Sequence, residues 1–128
     1  MQGLRAVDRG TPEHGIFEAE HLGYVAALQS AGLEVTTLDA REDYPDSVFI
    51  EDAALCLPEG AIILKPGTPS RTGESAQLAP ELARMGLEIH PHASTGFIDG
   101  GDILVTDTAV LVGLSDRTDR FGFEWLKS

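Results

Sequence analysis

Three acids, Asp46, Glu51 and Asp52, crowd a stretch in which Phe49, Ile50, Ala53 and Ala54 are apolar. A charge set into such a run is costly unless it is paired or hydrogen-bonded. Several converging carboxylates suit a planar guanidinium, which offers five donors in a fixed fork and pairs bidentately with a carboxylate. On spacing alone, a solvated strand end with ordinary surface acids accounts for the pattern as well. A second group, Asp99-Gly100-Gly101-Asp102, sets acids around two glycines. Paired glycines allow close backbone approach, and a carboxylate there could hold a histidine in one tautomer. A β-bulge or tight turn produces the same four residues.

Arg71 and Arg117 each follow a turn-rich loop, just before an expected helix. Two such arginines could clamp a carboxylate, or stand as surface cations among many acids. Cys56, between Leu55 and Leu57, reads as a buried structural thiol rather than a nucleophile. His14 and His21 fall on the first expected helix, and His90 and His92 at a strand exit. None has metal-ligand spacing to a second ligand, so no metal is assigned and no cofactor is called for.

These groups belong to a chain of 128 residues, 42% hydrophobic, which suits one compact α/β domain over residues 1–128. Nine basic against 21 acidic residues leave a net charge of −12. Such a chain is repelled by phosphate backbones and anionic membranes and attracts cationic ligands. Neither a nucleic-acid nor a membrane partner is expected. A single cysteine permits no internal disulfide and no paired-cysteine metal site, in keeping with a reducing compartment. The amino terminus lacks the apolar run of a signal peptide, and no stretch is long and apolar enough to cross a bilayer. A cytoplasmic location is expected.

The elements that must position the candidates follow from pattern. Thr11 as N-cap and Pro12 at the first helical position start a helix to Ala31 with Phe17, Tyr24 and Leu28 on one face, and Gly32 stops it. Leu33 to Leu38 is expected as a strand, and residues 39–45 as an acidic loop. Residues 47–57 and 61–65 read as strands of a hairpin turning at Pro58-Glu59-Gly60. After the loop 66–70, a helix is expected within 73–85, with Leu78, Leu82 and Met85 inward and Pro80 kinking it or delaying its start. Gly86 ends it, and Leu87 to His90 is a strand. Residues 96–106 and 109–113 read as a second hairpin turning at Asp107-Thr108, and 118–127 as a last helix.

The pieces repeat. Phe49-Ile50-Glu51 resembles Phe97-Ile98-Asp99, and Ala61-Ile62-Ile63-Leu64 resembles Ala109-Val110-Leu111-Val112 at the same spacing of 97 − 49 = 48. Gly32-Leu33-Glu34-Val35 is echoed by Gly86-Leu87-Glu88-Ile89. The unit is strand, strand, helix, strand, and the chain reads αβ, then ββαβ, then ββα. Such units need neighbours to bury their apolar faces, and half of a closed ring leaves raw edges.

Four strings in this order, PDSVFIEDAAL, KPGTPSRTGE, FIDGGDILV and VGLSDRTDRFG, resemble those of the dimethylarginine dimethylaminohydrolase family. The resemblance implies a partial pentein, about half of a ring of five ββαβ units. It implies that Asp46, Glu51 and Asp52 bind a substrate guanidinium. Arg71 and Arg117 would hold the substrate carboxylate, and Asp99 would orient a catalytic histidine. In the family, a cysteine thiolate attacks the guanidino carbon, an amine leaves, and histidine-activated water releases citrulline. Both the cysteine and the histidine follow the matched half.

The expectation is therefore a truncated chain that binds a small guanidino ligand, methylarginine or arginine. Alone it should be non-catalytic, and it should homo-oligomerise to cover its edges. A segment of an active hydrolase completed by a carboxy-terminal half is the first alternative. A structural or interaction module without ligand is the second.

Overall fold

A computed structural model describes residues 7, 10, 11 and 13–128. The described residues fall into two compact units, one holding the first helix and ending at Ala40, the other spanning Arg41–Ser128.

In the first unit, α1 runs His14–Ser30. Glu13, not Thr11, is the residue before its first turn. Pro12, expected at the first helical position, lies outside the described residues. No side chain of α1 is buried; Phe17 and Tyr24 are exposed. The strand expected over Leu33–Leu38 does not form, because that segment has no strand to pair with among the described residues.

In the second unit, β1 (Ala54–Leu57) and β2 (Gly60–Ile63) form an antiparallel hairpin with Ala54 opposite Ile63. Helix α2 (Glu74–Arg84) then carries the chain back to β3 (Ile89–His90), which lies parallel to β2. Leu78 and Leu82 of α2 join Ala53, Ala61, Ile63, Leu64 and Ile98 in the core. Met85, expected inward, is 50% exposed at the helix end. Pro80 sits inside α2 on its exposed side without ending it.

Helices α1 and α2 stop in the same way. Gly86, at φ 89, donates to Ala83 O, while Leu87 donates to Leu82 O. Gly32, at φ 87, donates to Gln29 O, and Leu33 to Leu28 O. This paired closure needs a left-handed residue that glycine supplies without strain. The Gly-Leu echo in the sequence is thus a repeated helix stop.

Both long strands expected at the acid clusters are replaced at their first half by 3-10 turns. Ile50–Asp52 coils before β1, and Gly100–Asp102 coils before β4 (Ile103–Val105). The Asp99 carboxylate drives the second turn by accepting from Gly101 N at 2.9 Å, the side-chain-to-backbone bond by which aspartate competes with a strand ladder. β4 pairs with β5 (Val110–Val112) around the Asp107-Thr108 turn. Helix α3 (Arg120–Lys127) begins at Asp119, whose side chain accepts from Gly122 N at 2.8 Å. The order 3-10 turn, hairpin, helix therefore occurs twice. Lys65 and Ile98 join the two occurrences through reciprocal backbone bonds of 3.1 and 2.8 Å.

Candidate functional site

The two 3-10 turns press against each other, and glycine makes that possible. A Cβ on Gly100 would stand 1.9 Å from Glu51 O, so only glycine fits there. Next to it, a Cβ on Gly101 would stand 2.9 Å from Asp52 Oδ1, 3.1 Å from Asp99 Oδ1 and 3.6 Å from Arg117 Nη2. Two carboxylates and a guanidinium, from three separate segments, thus converge on one face of Gly101.

Asp99 lies at the base of this cluster with 0% exposure. Its backbone N–H donates to Thr118 Oγ1 at 3.0 Å. Its Oδ2 lies 3.1 Å from Arg117 Nε, an ion-pair contact in which neither atom makes an aligned hydrogen bond. Burial, then the nearby Asp52 charge, push the Asp99 carboxyl above its ordinary range; Gly101 N–H and the two arginines pull it back only in part. A positive group brought to this spot would stabilise both carboxylates.

Arg117 is held by its loop. Ser115 Oγ accepts from Arg117 N at 2.9 Å, and Ser115 and Thr118 hydroxyls both donate to Asp102 Oδ2 at 2.6 Å. Gly67 N donates to Arg117 O at 3.0 Å. The Arg117 side chain keeps 42% exposure, enough to meet a ligand.

Arg71 is differently placed. Its side chain is 2% exposed. Its Nε donates to Glu74 Oε2 at 2.8 Å, and Nη2 to Glu74 Oε1 and to Phe49 O. Its Nη1 donates to Asp52 Oδ2. Burial pulls the guanidinium down, but its hydrogen bonds to Glu74 and Asp52 and their charges outweigh that and hold it above its ordinary value. Four of its five donors are thus spent on the chain itself, and the expected hold on a ligand carboxylate meets an arginine already occupied.

Asp46 is buried in the turn before Ile50, where its carbonyl accepts from Phe49 N at 3.0 Å. Glu51 is exposed, at the rim of an apolar groove of about 400 Å³ between Ile50, Leu78, Leu82 and Ile103. Cys56 lines the same groove. It is exposed rather than buried as expected, because it lies on edge strand β1 beside this open groove. Its surroundings nevertheless bury it enough to push the thiol up, which disfavours a thiolate. His92 Nε2 donates to Gly96 O at 3.0 Å, and its ring packs tilted by 53° against Trp125 with ring centroids 4.2 Å apart. Among the described residues no group of histidine, cysteine and acids is spaced to hold a metal, and no helix is long and apolar enough to cross a membrane.

The sequence pattern did not single out Glu74, Ser115 or Thr118. The signals were there: Glu74 lies three residues beyond Arg71 at a helix start, and Ser115 and Thr118 flank Arg117 as turn-forming hydroxyls.

A family model described as N,N dimethylarginine dimethylhydrolase, eukaryotic, matches residues 14–128. An uncharacterised protein of Aeropyrum pernix is 45% identical across 98% of this chain and 47% of its own length. An N(G),N(G)-dimethylarginine dimethylaminohydrolase of Streptomyces coelicolor is 35% identical across 95% of this chain and 47% of its own length. Among solved structures, a cysteine-to-serine mutant of the Pseudomonas aeruginosa enzyme complexed with citrulline superposes with a TM-score of 0.90 at 32% identity. The superposition covers 97% of this chain and 49% of that one. The chain spans about half the length of the relatives it matches, and its α/β architecture is about half of their pentein fold. The match over residues 14–128, the named relative and the superposed structure agree: this chain belongs to the dimethylarginine dimethylaminohydrolase family.

Proposed function

We propose that these residues form the ligand-holding half of a dimethylarginine dimethylaminohydrolase-type site, taking up a small guanidino compound such as arginine or methylarginine. The observation that carries this reading is the convergence of Asp52, Asp99 and Arg117 on Gly101. Asp52 takes the ligand guanidinium through charge-assisted hydrogen bonds, and the Asp99 charge, buried beneath it, adds to the attraction. Arg117, half-exposed, takes the ligand carboxylate. Arg71 acts on Asp52 rather than on ligand. Asp46 and Glu51 border this segment, Glu51 at its open rim.

Hydrolysis requires a nucleophile and a base beside the bound guanidino carbon. Cys56 sits on the groove with its thiol pushed up, and His92 is engaged by Gly96 and Trp125. We therefore assign binding to these residues and the family's C–N bond hydrolysis to an assembly that adds those two groups. In that assembly Asp99 is the acid that orients the added histidine. The bare β4–β5 hairpin, with Leu104, Val105, Val110 and Leu111 exposed, supports association with further chain or with a second copy. A soluble, cytoplasmic setting goes with this reading.

Calorimetric titration of the chain with L-arginine tests it. Saturable binding that fails in Asp99→Asn is expected. Heats of dilution alone for the unsubstituted chain would leave a structural module without ligand as the better description, and equal saturable binding in both proteins would place the ligand elsewhere.

A further inference from the structure

We infer that Glu74 is a positioning and specificity residue, which holds Arg71 so that Asp52 keeps its negative charge available to a cationic ligand. This rests on the guanidino-binding reading above. Glu74 opens α2 and is 6% exposed, so its carboxylate is fixed to a packed helix rather than to a loop. It grips Arg71 at two atoms, Nε and Nη2. A bidentate grip sets the plane of a guanidinium as well as its position. With that plane set, Nη1 reaches Asp52, and Nη2 also reaches Phe49 O at 3.0 Å. Arg71 thus ties both ends of the first 3-10 turn, whose last residue is Asp52, to the start of α2.

Charge gives Glu74 a second consequence. One arginine faces two carboxylates, Glu74 and Asp52. The trio carries one net negative charge, in a setting where solvent screens little. Because Glu74 takes up part of the Arg71 charge, Asp52 is not neutralised and still attracts a guanidinium. Without the Glu74 charge, Arg71 and Asp52 form a closed neutral pair. The site then loses its preference for a cation over a neutral ligand of the same shape. A purely structural ion pair lacks this property, since its loss weakens all ligands alike.

Arginine and citrulline separate the two, being cationic and neutral at otherwise matching side chains. For Glu74→Gln, arginine affinity is expected to fall roughly tenfold, a coupling of ordinary size for a shared network. Citrulline affinity should change less than about threefold by the same reasoning. Glu74→Asp, which keeps the charge, should restore most of the arginine preference. Equal losses for both ligands, or no loss for either, would overturn the inference. A ligand-free readout accompanies the titrations: the Arg71 Nε–H resonance, expected to be shielded from exchange and to vanish in Glu74→Gln but not in Asp52→Asn. If the unsubstituted chain binds neither ligand, the guanidino-binding reading falls. The Nε–H resonance then still decides the other point, its persistence in Glu74→Gln overturning the hold of Glu74 on Arg71.

Discussion

Arg117 Nε stands 3.1 Å from Asp99 Oδ2, and neither atom has an aligned hydrogen-bond partner. A fully buried carboxylate is thus left with an imperfect counter-ion, and burial together with Asp52 raises its proton affinity. A carboxyl whose folded value is raised contributes stability that is complete below its ordinary value of 3.8 and is lost as pH rises through the folded value. Asp99→Asn removes that loss. Its melting temperature relative to the unsubstituted chain should rise between pH 4 and pH 7, measured by circular dichroism. A relative melting temperature that falls over this range would mean that Arg117 outweighs burial.

Gly101→Ala should separate binding from folding. Its Cβ would meet only side-chain ends, Asp52 Oδ1 at 2.9 Å and Asp99 Oδ1 at 3.1 Å. Those ends are tethered, Asp52 by Arg71 and Asp99 by Gly101 N itself. The carboxylates must shift to admit a methyl group. Arginine binding should drop by at least about tenfold while stability falls by about 1 kcal/mol. Binding at full strength would show that a ligand sits elsewhere.

Gly100 and Gly23 should respond in opposite directions. Gly100→Ala drives a methyl group to 1.9 Å from the Glu51 carbonyl, backbone against backbone, and should cost about 3 kcal/mol or more. Gly23 lies inside α1 with nothing within 4 Å of a built Cβ. Gly23→Ala should stabilise by about 0.5–1 kcal/mol through helix propensity alone. Urea denaturation of the two variants checks both.

His92 offers an optical probe, because its ring packs against Trp125, the sole tryptophan. Burial lowers its proton affinity, with Lys65 adding to that and Gly96 O opposing it. A group lowered in this way contributes stability present above its ordinary value of 6.5 and lost as pH falls through the folded value. Trp125 fluorescence should therefore show a protonation step below pH 6.5, absent in His92→Gln. A step above that value would contradict the burial argument.

The parts legible in the sequence were those with a local physical cause. Gly32-Leu33 and Gly86-Leu87 each stop a helix because only a left-handed residue closes it so. The Asp107-Thr108 turn and the β1–β2 hairpin follow from strand runs broken by turn residues. The first 3-10 turn was not legible, because Phe49-Ile50 has strand character; at Asp99-Gly100-Gly101-Asp102 a tight turn was one of the readings the residues allowed. The Asp99 carboxylate coils the second turn locally, whereas the close fit of Gly100 against the Glu51 carbonyl joins distant segments and cannot be read from either one. For the same reason the acids and arginines could be named but not sorted. The residue types of Arg71 and Arg117 are identical, and only the neighbouring Glu74 tells a buried, occupied arginine from a half-exposed one. Cys56 looked buried between two leucines, yet an edge strand leaves its outer side open.

The central claim is that a guanidino ligand is held where Asp52, Asp99 and Arg117 meet Gly101. Amide NMR during an L-arginine titration tests it most directly. The Gly101, Asp99 and Arg117 resonances should move first and furthest, and should stay still in Asp99→Asn. Movement centred on His92 and Trp125, with Gly101 unmoved, would contradict it.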